Sequence, residues 1–92
     1  MSEIVFTLEP TPNPNAYKFV ADRTLRQGPP FSCQSPAAAR DEPVAAALFA
    51  VPGIVGVMIL DNFLTVSQDG SRDWADLTPQ IQAVLGRVFS QL

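Results

Sequence analysis

Apolar and polar residues alternate over several short stretches of this chain, and each stretch predicts a strand. Ile4, Phe6 and Leu8 interleave with Val5, Thr7 and Glu9, and Tyr17 and Phe19 interleave with Lys18 and Val20. Between these two runs lies Thr11-Pro12-Asn13-Pro14-Asn15-Ala16. Its two prolines fix φ and remove two backbone donors, so the segment is neither helix nor central strand. Its asparagines accept turn conformations and bond nearby backbone. The segment therefore reads as a shaped loop joining two strands.

The clearest local pattern comes later. Val55, Val57 and Ile59 precede Asp61-Asn62, and Leu64 and Val66 follow. A two-residue turn at Asp61-Asn62 sets Ile59 opposite Leu64 and Val57 opposite Val66, with Val55 on the same face. A slip of one residue would destroy that match. The opposite face carries Met58, Leu60, Phe63, Thr65 and Ser67, which is more apolar than a fully solvated face requires. It is expected to be covered by another part of the chain or by a partner.

Two helices are expected. Asp41 is placed as the cap of the first, with Pro43 in its first turn and Val44, Ala47, Leu48 and Val51 on one side. Pro52-Gly53 ends it. Trp74, Leu77, Ile81, Val84, Leu85, Val88 and Leu92 recur at helical spacing near the C-terminus. Asp73 is expected to cap that helix and Pro79 to break it or tighten its turn, with Thr78 then as the cap of a second stretch. The segment between Arg23 and Pro36 reads as irregular, interrupted by Gly28-Pro29-Pro30 and Ser35-Pro36, with Phe31 as an anchor on a short edge strand. The predicted fold is a small α/β (α+β) domain over residues 1–92, ordered β-β-α-β-β-α, with a mostly antiparallel sheet and helices on one face.

Composition narrows the function. Histidine is absent, which excludes a Ser-His-Asp or Cys-His catalytic arrangement and histidine-rich metal sites. Asp61, Asp69, Asp73 and Asp76 are spread over a turn, a loop and a helix start, where capping explains them. No glycine-rich phosphate loop occurs. The net charge is −3, and the six basic residues form no stripe for nucleic acid. No apolar run approaches the roughly 20 residues that span a bilayer. A single cysteine and an N-terminus without a basic signal region point to a cytoplasmic setting. The chain is expected to be no enzyme.

Thr11-Pro12-Asn13-Pro14-Asn15-Ala16 and Lys18-Phe19-Val20 resemble the N-terminal domain of the Nfu/NifU iron–sulfur scaffold family. The resemblance resumes at Pro43-Val44-Ala45, Leu48-Phe49, Pro52-Gly53-Ile54, Asn62-Phe63-Leu64-Thr65-Val66 and Asp73-Trp74, and ends near Leu77-Thr78-Pro79. Residues 26–42 match least. The family's cluster-binding Cys-x-x-Cys pair belongs to a separate C-terminal domain and does not occur here, so the chain is expected to be a stand-alone N-terminal domain. The resemblance implies a non-catalytic module that docks with cluster-carrying partners in iron–sulfur cluster assembly or delivery, among them a separate Cys-x-x-Cys domain.

Candidate partner-binding residues are Thr11, Asn13 and Asn15 in the proline loop and Met58, Leu60 and Phe63 on the second hairpin face. The loop's residues also have a structural explanation, since a rigid two-proline loop sets the register of the first hairpin. Cys33 is the one soft ligand, and four are usual for zinc or a cluster. The chain alone therefore holds no cofactor. One alternative is a Cys33-bridged homodimer that binds iron or shares a [2Fe–2S] cluster. Another is an assembly protein that associates through the Met58/Leu60/Phe63 face.

Overall fold

The computed structural model describes residues 5–90. Ile4 and Leu92, assigned above to a strand and a helix, lie outside them. The elements in chain order are β1 (Phe6–Pro10), β2 (Ala16–Ala21), β3 (Arg26–Cys33), α1 (Pro36–Ala39), α2 (Pro43–Phe49), β4 (Ile54–Asp61), β5 (Phe63–Gln68) and α3 (Trp74–Ser90). The strands form one antiparallel sheet in the order β1-β2-β5-β4-β3.

The hairpin β4–β5 has the register its alternation requires, with Ile59 opposite Leu64 and Val57 opposite Val66. Only Asp61 of the two turn residues is left-handed, at φ 51°. One positive φ at the first central position suits a primed hairpin turn. The carbonyls of this turn also close the sheet on both sides. The Ala21 N–H donates to Asn62 at 2.6 Å, and the Leu25 N–H donates to Asp61 at 2.6 Å.

Val55 departs from the expected face. The register shifts between Ile54 and Gly56, so an extra residue of β4 stands unpaired against β5. This bulge moves Ile54 into the core and leaves Val55 43% exposed. Strict alternation cannot reveal such an insertion.

The Arg23–Pro36 stretch is more ordered than its breakers suggest. Phe31, Ser32 and Cys33 pair with Ile59, Met58 and Val57, which makes β3 a full edge strand. The bulge between Arg26 and Phe31 absorbs Gly28-Pro29-Pro30, with Gly28 at φ 89°. Arg26 fixes that bulge. Its Nε–H donates to the Pro29 carbonyl at 2.7 Å, its guanidinium lies 3.6 Å from the Glu42 carboxylate, and it stacks 5.5 Å above the Phe31 ring.

The helices also correct two expectations. A short helix α1 precedes α2, capped by the Ser35 hydroxyl, which accepts from the Ala38 N–H at 3.2 Å. Glu42, not Asp41, occupies the N-cap of α2, and its side chain makes no capping bond. Helix α3 runs unbroken through Pro79. Leu77, Ile81 and Leu85 are fully buried along one side of it, and that packing outweighs the local penalty of proline. Thr78 therefore caps no second stretch.

One sheet face and the helices enclose the core. Phe19, Leu64, Val66, Val57 and Ile59 project from the sheet against Ala45 and Leu48 of α2 and the buried row of α3. Among the described residues, no helix lies over the other sheet face.

Candidate functional site

The strand registers fix what this open face carries. Thr7, Val20, Phe63 and Leu60 align in one row across β1, β2, β5 and β4. Glu9, Lys18, Thr65, Met58 and Ser32 form the next row. Met58, Leu60 and Phe63, singled out from alternation, thus share one surface. Val20 belongs with them and was not among the candidates. Its alternation with Phe19 was visible, but only the β2–β5 pairing places it beside Phe63.

All four apolar side chains are half-buried within the described chain. One cation stands among them. The Lys18 ammonium lies 4.4 Å from the centre of the Phe63 ring, and the Glu9 carboxylate is 4.0 Å from it. Aromatic and aliphatic groups around one partly solvated charge make a surface suited to protein contact. Next to Met58 lies a depression of about 180 Å³ whose lining includes Ser32, Cys33, Gln34, Thr65 and Ser67, with Gly56 among its walls. Its hydroxyl, amide and thioether groups can seat a neutral side chain. None is an acid or a base for catalysis.

The proline loop is a separate place. It sits at the Ala16 end of β2, whereas Phe63 pairs at the Val20 end, about 13 Å away along the strand. Its polar groups largely serve one another. The Thr11 hydroxyl lies 2.8 Å from the Asn13 carbonyl and 3.0 Å from that of Ala16, and accepts from the Asn13 N–H at 3.2 Å. The Asn13 side chain accepts from the Asn15 N–H at 2.9 Å. The Asn15 carbonyl accepts from Gln68 N–H at 2.8 Å, while the Trp74 indole N–H donates to the Pro14 carbonyl at 2.9 Å. Trp74 also packs on Tyr17, with ring centres 5.2 Å apart. This loop is anchored to the start of α3.

Cys33 lies on the enclosed side, opposite Val57, and is buried. Burial pushes its thiol pKa up; a backbone bond from Ser35 pulls the other way, and the Glu42 charge raises it further. A protonated, enclosed thiol is a poor nucleophile and a poor metal ligand. Among the described residues, no three His, Cys, Asp or Glu side chains converge as a metal site. Asp69 is held below the usual carboxylate range by the Ser71 hydroxyl and backbone N–H, which places it in a local turn.

The comparison with known proteins agrees with this architecture. Residues 6–91 match the family described as scaffold protein Nfu/NifU, N terminal. The chain belongs to that family. It is 33% identical over 81 residues to the human NFU1 iron-sulfur cluster scaffold homolog, mitochondrial, which covers 87% of this chain and 32% of the relative. The Drosophila persimilis homolog is likewise 33% identical over 81 residues, with 29% of its length covered. The Nfu-type chain thus spans about a third or less of the curated relatives it matches.

Two solved structures share the fold. A NifU-like protein from Saccharomyces cerevisiae superposes with a TM-score of 0.85 at 26% identity, covering 98% of this chain and 82% of that one. Protein SAV1430 from Staphylococcus aureus superposes at 0.71 with 20% identity, covering 90% and 98%. The family is described by scaffolding, not by catalysis. No helix among the described residues is long and apolar enough to cross a membrane.

Proposed function

We propose that this Nfu N-terminal domain is a non-catalytic docking module for iron–sulfur cluster assembly or delivery, and that its partner is a cluster-carrying Cys-x-x-Cys domain. The observation that carries the proposal is the open sheet face. It gathers Val20, Met58, Leu60 and Phe63 around Lys18, with no helix above them among the described residues. Apolar surface of this kind favours burial against another protein. The human and Drosophila relatives are named as iron-sulfur cluster scaffolds, which supports the choice of partner. In this reading the cluster stays on the partner's thiolates, and this chain supplies shape and orientation.

The interior position of Cys33 favours docking over direct ligation by a thiol-bridged dimer. The internal bonding of Thr11 and Asn13 favours the sheet face over the proline loop as the main contact. Asn15, in the separate proline loop beside the Ala16 end of β2, is a secondary contact.

Calorimetry with a purified, cluster-loaded Cys-x-x-Cys domain tests the reading. Wild type and Cys33→Ser are expected to bind alike, while Phe63→Glu weakens binding at least tenfold with its far-UV spectrum unchanged. Absence of binding, or binding that requires Cys33, contradicts the proposal.

A further inference from the structure

The two outer edges of the sheet differ in how they resist further pairing. Exposed strand edges invite a new strand, and proteins commonly blunt them with proline, charge or bulges. On β3 the partners Phe31–Ile59 and Cys33–Val57 enclose a strand whose preceding stretch, 27–30, is a proline-bearing bulge. Pro29 and Pro30 have no N–H to offer. That edge is blunted.

The β1 edge is not blunted in the same way. The Asp22 N–H donates to the Val5 carbonyl at 3.0 Å, which identifies Val5 and Asp22 as a bonded pair of the antiparallel ladder. The alternation continues through Thr7–Val20 and Glu9–Lys18. Phe6 and Leu8 therefore turn their N–H and C=O groups away from β2. Pro10, the last residue of the strand, closes the row. Val5, at its start, is 59% exposed and is the most exposed large hydrophobic side chain among the described residues.

We propose that β1 pairs antiparallel with β1 of a second copy, joining two five-stranded sheets across a two-fold axis at Thr7. Self-complementarity points to this occupant. In that register Phe6 lies opposite Leu8 of the second copy, and the two pairs use every outward donor and acceptor of both residues. Thr7 lies opposite Thr7, and exposed Val5 gains the Glu9 stem of the second copy as a neighbour. Phe6 and Leu8 pack against the core on the enclosed side, so the pairing extends each core across the joint. Thr7 faces Thr7 in a non-hydrogen-bonded pair, where Cα atoms come within about 4.5 Å. The contact is isologous, so it closes at two copies. It lies beyond the Met58–Phe63 surface and holds or fails independently of the docking proposal.

The test combines sedimentation equilibrium with directed cross-linking. Wild type and Cys33→Ser are expected to shift from monomer toward twice the monomer mass as concentration rises from micromolar to millimolar. Thr7→Lys, which opposes two ammonium groups at the axis, is expected to stay monomeric and folded. Thr7→Cys in a Cys33→Ser background should oxidise to a disulfide-linked dimer, since the predicted Cα spacing lies within the roughly 4.4–6.8 Å of natural bridges. A wild type that is monomeric throughout overturns the proposal. So does a dimer that Thr7→Lys leaves intact, or one in which Thr7→Cys fails to cross-link: a shifted register or another surface would then be in use.

Discussion

Cys33 shows how strongly position governs chemistry at the scale of a single residue. Read along the chain, it is a soft ligand in a loop; in the sheet it is an enclosed core side chain opposite Val57. Its folded pKa is raised, so the unfolded chain releases the thiol proton first as pH rises. The native state then holds more protons than the unfolded state, and stability falls. The contribution is complete below the ordinary thiol pKa and is lost as pH climbs through the folded value. Urea unfolding from pH 7 to pH 10 is expected to show a steeper loss for wild type than for Cys33→Ala. Equal slopes would mean that the thiol is not enclosed. Alkylation of Cys33 is likewise expected to require denaturant.

Trp74 carries a second prediction at this scale. Its indole N–H is the bond from α3 to the proline loop, and its ring packs on Tyr17. Trp74→Phe keeps most of the ring contact and removes the donor. The expected cost is about 0.5–1.5 kcal/mol, the range for one net hydrogen bond. Amide exchange should rise at Asn13, Asn15 and Ala16. Unchanged exchange there would show that the loop holds itself.

Among the elements, the β4–β5 hairpin was the most legible in the sequence. A two-residue turn and an alternating pattern on both sides leave one register that buries Val57, Ile59, Leu64 and Val66 together. What escaped was the bulge at Val55, because one inserted residue looks like ordinary alternation with a different phase. The bulge makes a sharp contrast between neighbours. Ile54→Ala is expected to cost about 2–5 kcal/mol, as for other buried large-to-small changes. Val55→Thr should stay within about 0.5 kcal/mol, as at other exposed sites. Comparable losses at both positions would refute the bulge.

The short edge strand expected at Phe31 is present, but the full extent of β3 and the whole of helix α1 were hidden for a different reason. Gly28, Pro29, Pro30 and Pro36 are genuine local breakers, and their effect is overcome by contacts distant in sequence. The Met58 and Ile59 backbones pair with β3, and Glu42 holds Arg26. Pro79 repeats the lesson in α3. Its missing N–H is tolerated because Leu77 and Ile81 are fully buried on either side. Pro79→Ala should therefore raise the thermal midpoint, by an amount equivalent to about 1 kcal/mol or more. An unchanged or lower midpoint would mean that proline's restriction of the unfolded chain outweighs its cost in the helix.

At the scale of the molecule, the described helices pack on one sheet face and none of them covers the other. The side chains of that outer face were readable as an apolar set, because alternation places Met58, Leu60 and Phe63 together. Whether anything covered them depended on helix placement, which periodicity alone does not give. The separation of the proline loop from this face was also beyond reach without the β2–β5 register. The proposed docking therefore concerns one surface, with Phe63 and Lys18 at its middle.

A titration followed by NMR addresses that surface most directly. Isotope-labelled chain would receive an unlabelled, cluster-loaded Cys-x-x-Cys domain, and amide shifts would be followed residue by residue. Shifts centred on Val20, Met58, Leu60 and Phe63, with the core-facing Cys33 side little moved, are the predicted result. Shifts confined to the proline loop or to the helices, or none at saturating partner, would contradict docking through the open sheet face.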